Sequence, residues 1–173
     1  MKSFYRFALA FAFALLAILP ASAAEYLHLD LKQGRVVIEL RPDLAPKHVA
    51  RIKELADKGF YDGIIFHRVI ANFMAQTGDP TGTGRGGSGQ NLPAEFTKTP
   101  FKRGTVGMAR SQSLSSADSQ FFICFTSVPS LDGQYTVWGE VVKGMEFVDQ
   151  IQKGEPPRNP DRIVKMRVAQ AIE

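Results

Sequence analysis

Hydrophobic positions along this chain change period several times, and each change marks a new element. Tyr26-Leu27-His28-Leu29-Asp30-Leu31 and Arg35-Val36-Val37-Ile38-Glu39-Leu40 have strand character, and the Lys32-Gln33-Gly34 between them predicts a hairpin. Over residues 44–58 the spacing turns helical. Val49, Ile52 and Leu55 or Ala56 share one face, Pro46 suits the first turn, and Gly59 suits the stop. Residues 64–70 and 73–77 return to strand patterns. Residues 78–91 lose all apolar periodicity and contain Gly78, Gly82, Gly84, Gly86, Gly87 and Gly89, which predicts a long surface loop. Strands follow at 104–109, 120–126 and 135–142, rich in β-branched and aromatic residues. Met145, Val148 and Ile151 mark a second helix that ends at Gly154, and residues 163–168 alternate in a last strand. Short strands joined by turns, with two separated helices, predict a mainly β fold. A closed antiparallel barrel fits this order better than a βαβ sheet.

The start of the chain stands apart. Lys2 and Arg6 precede an unbroken apolar run from Phe7 to Leu19, then Pro20 and the small-residue signal Ala21-Ser22-Ala23. That run is shorter than the roughly 20 residues needed to cross a bilayer. Residues 1–23 are therefore expected to be a cleavable signal peptide, cut after Ala23 or Ala24, and residues 24–173 a single domain. The expected destination is the periplasm, with secretion to the medium as the alternative, and no stable membrane insertion after cleavage. Losing Lys2 and Arg6 lowers the net charge by two, from +4 to +2. Such a balance offers no basic field for nucleic acid or anionic lipid. A single cysteine, Cys124, excludes an internal disulfide, and its Phe-Phe-Ile-Cys-Phe setting predicts a small buried hydrophobe.

Several motifs carry no chemistry. Gly82-x-Gly84-x-x-Gly87 has the spacing of a dinucleotide loop, but Ser88-Gly89-Gln90-Asn91-Leu92-Pro93 cannot begin the helix that would receive a pyrophosphate. His28, His48 and His67 lack metal-ligand spacing. His48 is expected at the surface or boundary of the first helix, and His67 on the strand face opposite Arg68. The serines at 111, 115, 116 and 119 lack a nucleophile turn. Arg68 differs, because a guanidinium within Phe, Ile and Val is costly to bury unless paired. Arg68, Phe73-Met74, Gln76 and the separate Gln120-Phe121-Phe122 strand permit an apolar pocket with hydrogen-bonding side chains at its rim.

Over residues 26–168 the segments FHRVIANFMAQTGD, GTVGMAR, SQFFICF and LDGQYTVWGEV closely resemble the cyclophilin family of peptidyl-prolyl cis-trans isomerases. The resemblance implies an eight-stranded antiparallel barrel capped by two helices. It also implies cofactor-free catalysis of rotation about Xaa-Pro bonds. Matched by position, Arg68 and Gln76 are the catalytic pair, with Arg68 at the prolyl nitrogen and Gln76 on the substrate backbone. Phe73, Met74, Phe122 and Leu131 would receive the proline ring. Ala109 and Gln120 would line the groove, and the main chain near Arg110 would pair with the extended peptide. Tyr135 stands where many members have a pocket histidine, and an aromatic ring there still closes the pocket. Ser130 replaces the tryptophan of the best-known members just before Leu131-Asp132-Gly133, which implies weak cyclosporin binding; Trp138 falls at a core aromatic position instead. The expected partners are flexible or unfolded proline-containing polypeptides, and the expected state is a monomer. The rival is a non-catalytic, peptide-holding chaperone or scaffold built on the same groove.

Overall fold

In the computed structural model residues 25–172 are described; the expected leader lies outside them. Eight antiparallel strands run in the spatial order β3-β4-β6-β5-β7-β2-β1-β8. They are β1 (Tyr26–Leu31), β2 (Gly34–Leu40), β3 (Arg68–Ile70), β4 (Met74–Thr77), β5 (Thr105–Met108), β6 (Phe121–Cys124), β7 (Val137–Lys143) and β8 (Lys165–Ala169). Helix α1 (Pro46–Asp57) packs over β8 and β7, and α2 (Met145–Asp149) over β2. A 3₁₀ turn at Pro129–Leu131 has no counterpart among the expected elements.

The mainly β architecture and both helices match the sequence pattern, but the barrel is not closed by ladders. The sheet curls and stops at β3 on one edge and β8 on the other. Between those edges residues 63–69 and 154–163 form no continuous ladder and pair in two isolated bridges, Ile65 with Arg162 and Val69 with Gly154. Pro156, Pro157 and Pro160 lie in this stretch. Each lacks the N–H that a continuous ladder needs. The expected strands at 64–70 and 163–168 shorten for the same reason. The second helix also stops early, because Gln150 and Ile151 donate to carbonyls three residues back and the chain tightens out of the α-helix.

Strand alternation sorts side chains onto two faces. Ala75, Val106, Met108, Phe121, Ile123 and Trp138 point inward and join Leu27, Leu29, Ile38, Ile52 and Val148 in the large core. Met74, Phe122, Cys124 and Val137, one position away along the same strands, point outward into a second cluster with Phe101. His48 corrects the expectation of a surface or boundary residue: it is fully buried. Ala45 provides no side-chain cap for α1, and Glu95 caps it from a distant loop. Its carboxylate accepts from the N–H groups of Lys47 at 3.2 Å and His48 at 3.0 Å, and pairs with His48 Nδ1 at 2.7 Å. Those N–H groups lack partners within a helix, and a carboxylate there also suits the helix dipole.

Candidate active site

Register assembles the site. Arg68 on β3 lies opposite Gln76 on β4, and Gln76 lies opposite Phe122 on β6. Gly107 on β5 faces Phe122 from the other side. Arginine, glutamine and phenylalanine thus form one row across the outer face, with Met74 and Cys124 in the adjoining row. Phe101 stacks on the Phe122 ring at 5.7 Å between centroids, and Tyr135 meets it edge-on at 5.8 Å. Close approach of the first pair depends on Gly107, since a Cβ there would stand 2.5 Å from Phe122 Cζ and 2.6 Å from Phe101 Cε1.

Above this row opens a cleft of about 110 Å³, lined by Arg68, Phe73, Met74, Gln76, Ala109, Arg110, Phe122, Leu131 and Tyr135. The structure therefore brings together nine of the ten expected site residues. Gln120, the tenth, lines an adjoining groove of about 350 Å³ with Gly84, Arg85 and Asp118. Gln76, Ala109 and Arg110 line both spaces. Ser130 is exposed on the 3₁₀ turn and does not line the cleft, whereas Leu131 at the end of the turn does. Asp132 ties that turn to the outer cluster, its carboxylate accepting the Phe101 N–H at 2.7 Å.

A polar chain runs along the rim. Gln76 Nε2 donates to Gln120 Oε1 at 2.9 Å, and Gln120 Nε2 donates to the carbonyls of Gly84 at 3.0 Å and Gly86 at 2.8 Å. The glycine-rich segment is therefore an ordered wall. Asp79 holds its base, accepting from Thr81 N, Thr81 Oγ1 and Gly84 N. Burial pushes the Asp79 pKa up, but these hydrogen bonds outweigh it and hold the group at about 2.

Arg68 is half-buried against the cleft, its Cζ 6.0 Å from the Phe73 ring centre. Its Nε donates to Glu155 Oε1 at 2.5 Å, while Nη1 reaches Gln76 Oε1 at 3.5 Å. The ion pair is a surface pair, with side chains 41% and 51% exposed, so the guanidinium stays beside the cleft instead of being buried with its partner. Arg110 braces the far wall. Its Nη groups donate to the carbonyls of Ser111 and Gln134, and its Cζ lies 4.6 Å from the Tyr135 ring centre.

His67 is buried, and burial pushes its pKa down, which favours the neutral ring. Cys124 is buried beneath the cleft, and burial pushes its thiol pKa up to about 12. It is a packing residue at neutral pH. Among the described residues no group of three or more His, Cys, Asp or Glu side chains is placed to hold a metal ion.

Three contributors were not legible beforehand: Glu155, Phe101 and Gly107. Phe101 and Glu155 come from aperiodic, proline-flanked segments, and their relevance arises only through contacts across the fold. Gly107 sits inside an expected strand, where an isolated glycine signals close approach of another group.

Comparison with known proteins places the chain in a family. The family model described as "Cyclophilin type peptidyl-prolyl cis-trans isomerase/CLD" matches residues 26–168. A probable peptidyl-prolyl cis-trans isomerase of Brucella suis is 52% identical, over 96% of this chain and 97% of that one. Two crystal structures of a cyclophilin-type isomerase from Cryptosporidium parvum superpose with TM-scores of 0.78 and 0.77 at 28% and 29% identity. They cover 84% and 83% of this chain and 98% of theirs, and the second was determined in the presence of the dipeptide Ala-Pro. This chain belongs to the cyclophilin-type peptidyl-prolyl cis-trans isomerases.

Proposed function

We infer that this isomerase performs its reaction in the Arg68 cleft, on proline-containing segments of flexible or unfolded chains. Arg68 acts as the catalytic cation. Phe73, Met74, Phe122, Leu131 and Tyr135 hold the proline ring, and Gln76 holds the substrate backbone. Ala109, Gln120 and the main chain at Arg110 guide the peptide into the adjoining groove. The observation that carries this reading is the Arg68–Gln76–Phe122 row, which sets the Arg68 guanidinium against an open, aromatic-floored cleft.

An amide resists rotation because its nitrogen donates a lone pair into the carbonyl, which raises a barrier of roughly 18–20 kcal/mol. In the twisted state that lone pair is localised on nitrogen. A guanidinium donor aimed at it stabilises the twisted state more than the planar one, and such a difference is what accelerates a reaction. Apolar walls exclude water and strengthen the interaction. Lowering the barrier by about 7 kcal/mol gives roughly 10⁵-fold acceleration. No proton moves, so the pathway needs no acid or base.

The leader pattern of residues 1–23 supports export, and the working site proposed is the periplasm, with a monomeric domain assisting the folding of newly exported proteins. Uncatalysed prolyl isomerisation takes tens to hundreds of seconds, long enough to delay refolding after export.

NMR exchange spectroscopy on an Ala-Pro peptide tests the site. Wild type should speed cis-trans exchange, and Arg68→Ala should reduce kcat/KM by about 10²–10³-fold, the usual loss on removing one preorganised donor. Full activity in Arg68→Ala refutes the assignment. Peptide binding by wild type without faster exchange would favour the peptide-holding scaffold.

A further inference from the structure

Glu155 enters the site through backbone pairing. Val69 and Gly154 exchange two hydrogen bonds, N–H to O in each direction at 2.8 Å. In an antiparallel bridge of this kind the next residues outward, Arg68 and Glu155, stand opposite each other as a cross-strand pair. The carboxylate meets the Nε edge of Arg68 and leaves the Nη side as the source of donors for a substrate. A guanidinium is planar, so fixing Nε fixes the plane in which the Nη groups point.

The pair is too exposed to serve stability, since surface ion pairs contribute little. Its geometry matters instead. Arg68 occupies the edge strand β3, and a long side chain there has many rotamers, of which few aim its donors into the cleft. Gln76 provides only a contact at the outer limit of hydrogen bonding, 3.5 Å. Of these two partners, the Glu155 contact is the short one, and it is charge-assisted.

We propose that Glu155 is a positioning residue for catalysis, holding the Arg68 guanidinium with its Nη edge toward the bound prolyl nitrogen. This rests on Arg68 being the catalytic cation. Glu155 touches no reacting atom; it acts through Arg68.

The test is a double-mutant cycle read by NMR exchange at saturating and subsaturating Ala-Pro peptide. Glu155→Ala should lower kcat about tenfold with KM changed less than about twofold, the pattern of lost orientation with retained binding. Glu155→Gln keeps an oxygen acceptor and should recover part of that loss. In an Arg68→Ala background the Glu155→Ala change should have no effect. The Arg68 Hε resonance should shift on Glu155→Ala, while the melting temperature stays within a degree or two. An equal loss in both backgrounds, an unchanged kcat, or a faster enzyme would overturn the proposal. Full activity in Arg68→Ala alone would refute the assignment of the cation itself, whereas an inactive Arg68→Ala beside a fully active Glu155→Ala would sink only the role given to Glu155.

Discussion

The two apolar clusters share strands but differ in what closes them. Inside the curl, Phe121 is sealed, meeting Tyr61 and Trp138 edge-on at 5.6 and 5.4 Å. One residue along, Phe122 points outward onto Phe101 and Tyr135, and its other neighbour is the open cleft. The inner cluster is roofed by α1 and α2, whereas the outer has loops, a 3₁₀ turn and half-buried Phe73, Leu131 and Tyr135 at its margin. A close-packed core has no room for a guest. Period-two alternation therefore gives one short strand two tasks, stability from its inward residues and binding from its outward ones.

Truncating the two adjacent rings should separate these tasks. Phe121→Ala removes a fully buried ring and is expected to destabilise by about 3–5 kcal/mol, with kcat/KM nearly unchanged at temperatures where the variant is folded. If it does not fold, Phe121→Leu provides the milder version. Phe122→Ala should cost less stability, because its 5%-exposed ring borders the cleft on one side and water can fill the space left, yet lower kcat/KM at least tenfold. Urea melts and NMR exchange on both variants check this. Equal losses of stability with equal losses of activity would mean the faces are not functionally distinct.

Acid provides a second, smaller separation. Asp79 reports the rim, as the lowered carboxylate of Glu95 at α1 reports the roof of the inner core. Asp79 is held at about 2 against an ordinary value of 3.8, so the unfolded chain takes up this proton first as pH falls. The stabilisation is complete above about pH 4 and is lost as pH drops toward 2, amounting to about 2 kcal/mol. His67, pushed down by burial, has the same sign: its contribution is full above its ordinary 6.5 and fades as pH falls through its lowered value. Urea midpoints measured from pH 7 to pH 2.5 should fall for wild type. Asp79→Asn should be less stable at pH 7 and show a shallower decline below pH 4. Parallel curves for the two proteins would show that the Asp79 carboxylate is not what acid removes.

How much of this was visible in the chain follows from the range of each interaction. Helical spacing found α1 because it is a local pattern with a fixed period, and the same kind of locality sets Phe121 and Phe122 on opposite faces of β6. The cleft residues fall in a few short segments, β3 to β4, the residues just after β5, β6 and the stretch from Leu131 to Tyr135, and it is these segments whose motifs resembled one family. Closure of the barrel depended on how residues 63–69 meet 154–163, a non-local pairing that three prolines interrupt without leaving a periodic signal. The burial of His48 depended on a carboxylate 47 residues away. Glu155 is 87 residues from Arg68 and lies in an aperiodic stretch, so nothing local marked it.

Two glycines offer the finest test of the contrast. A methyl at Gly107 would meet the Phe122 and Phe101 rings at 2.5 and 2.6 Å, while one at Gly139 would meet Ile38 Cγ2 at 2.7 Å and the Glu39 carbonyl at 3.1 Å. Both substitutions overpack, a change that costs about 1–3 kcal/mol in general. The outcomes should differ because relief is available in only one place. At Gly107→Ala the Phe122 ring can move into the cleft it floors while Phe101, 1% exposed, cannot, so the clash is partly relieved and stability falls by about 1–2 kcal/mol. The displaced ring then occupies the space meant for proline, and kcat/KM should drop about tenfold, mainly through KM. At Gly139→Ala the Ile38 side chain is fully buried and a backbone carbonyl stands behind it. Nothing there yields, so the stability loss should lie near the upper end of the general range while the folded enzyme keeps its activity. Calorimetric melting and exchange rates on the pair decide the matter. A Gly139→Ala variant that loses activity in step with Gly107→Ala would show that strain passes freely through the sheet, and that the inner core cannot be altered without altering the cleft.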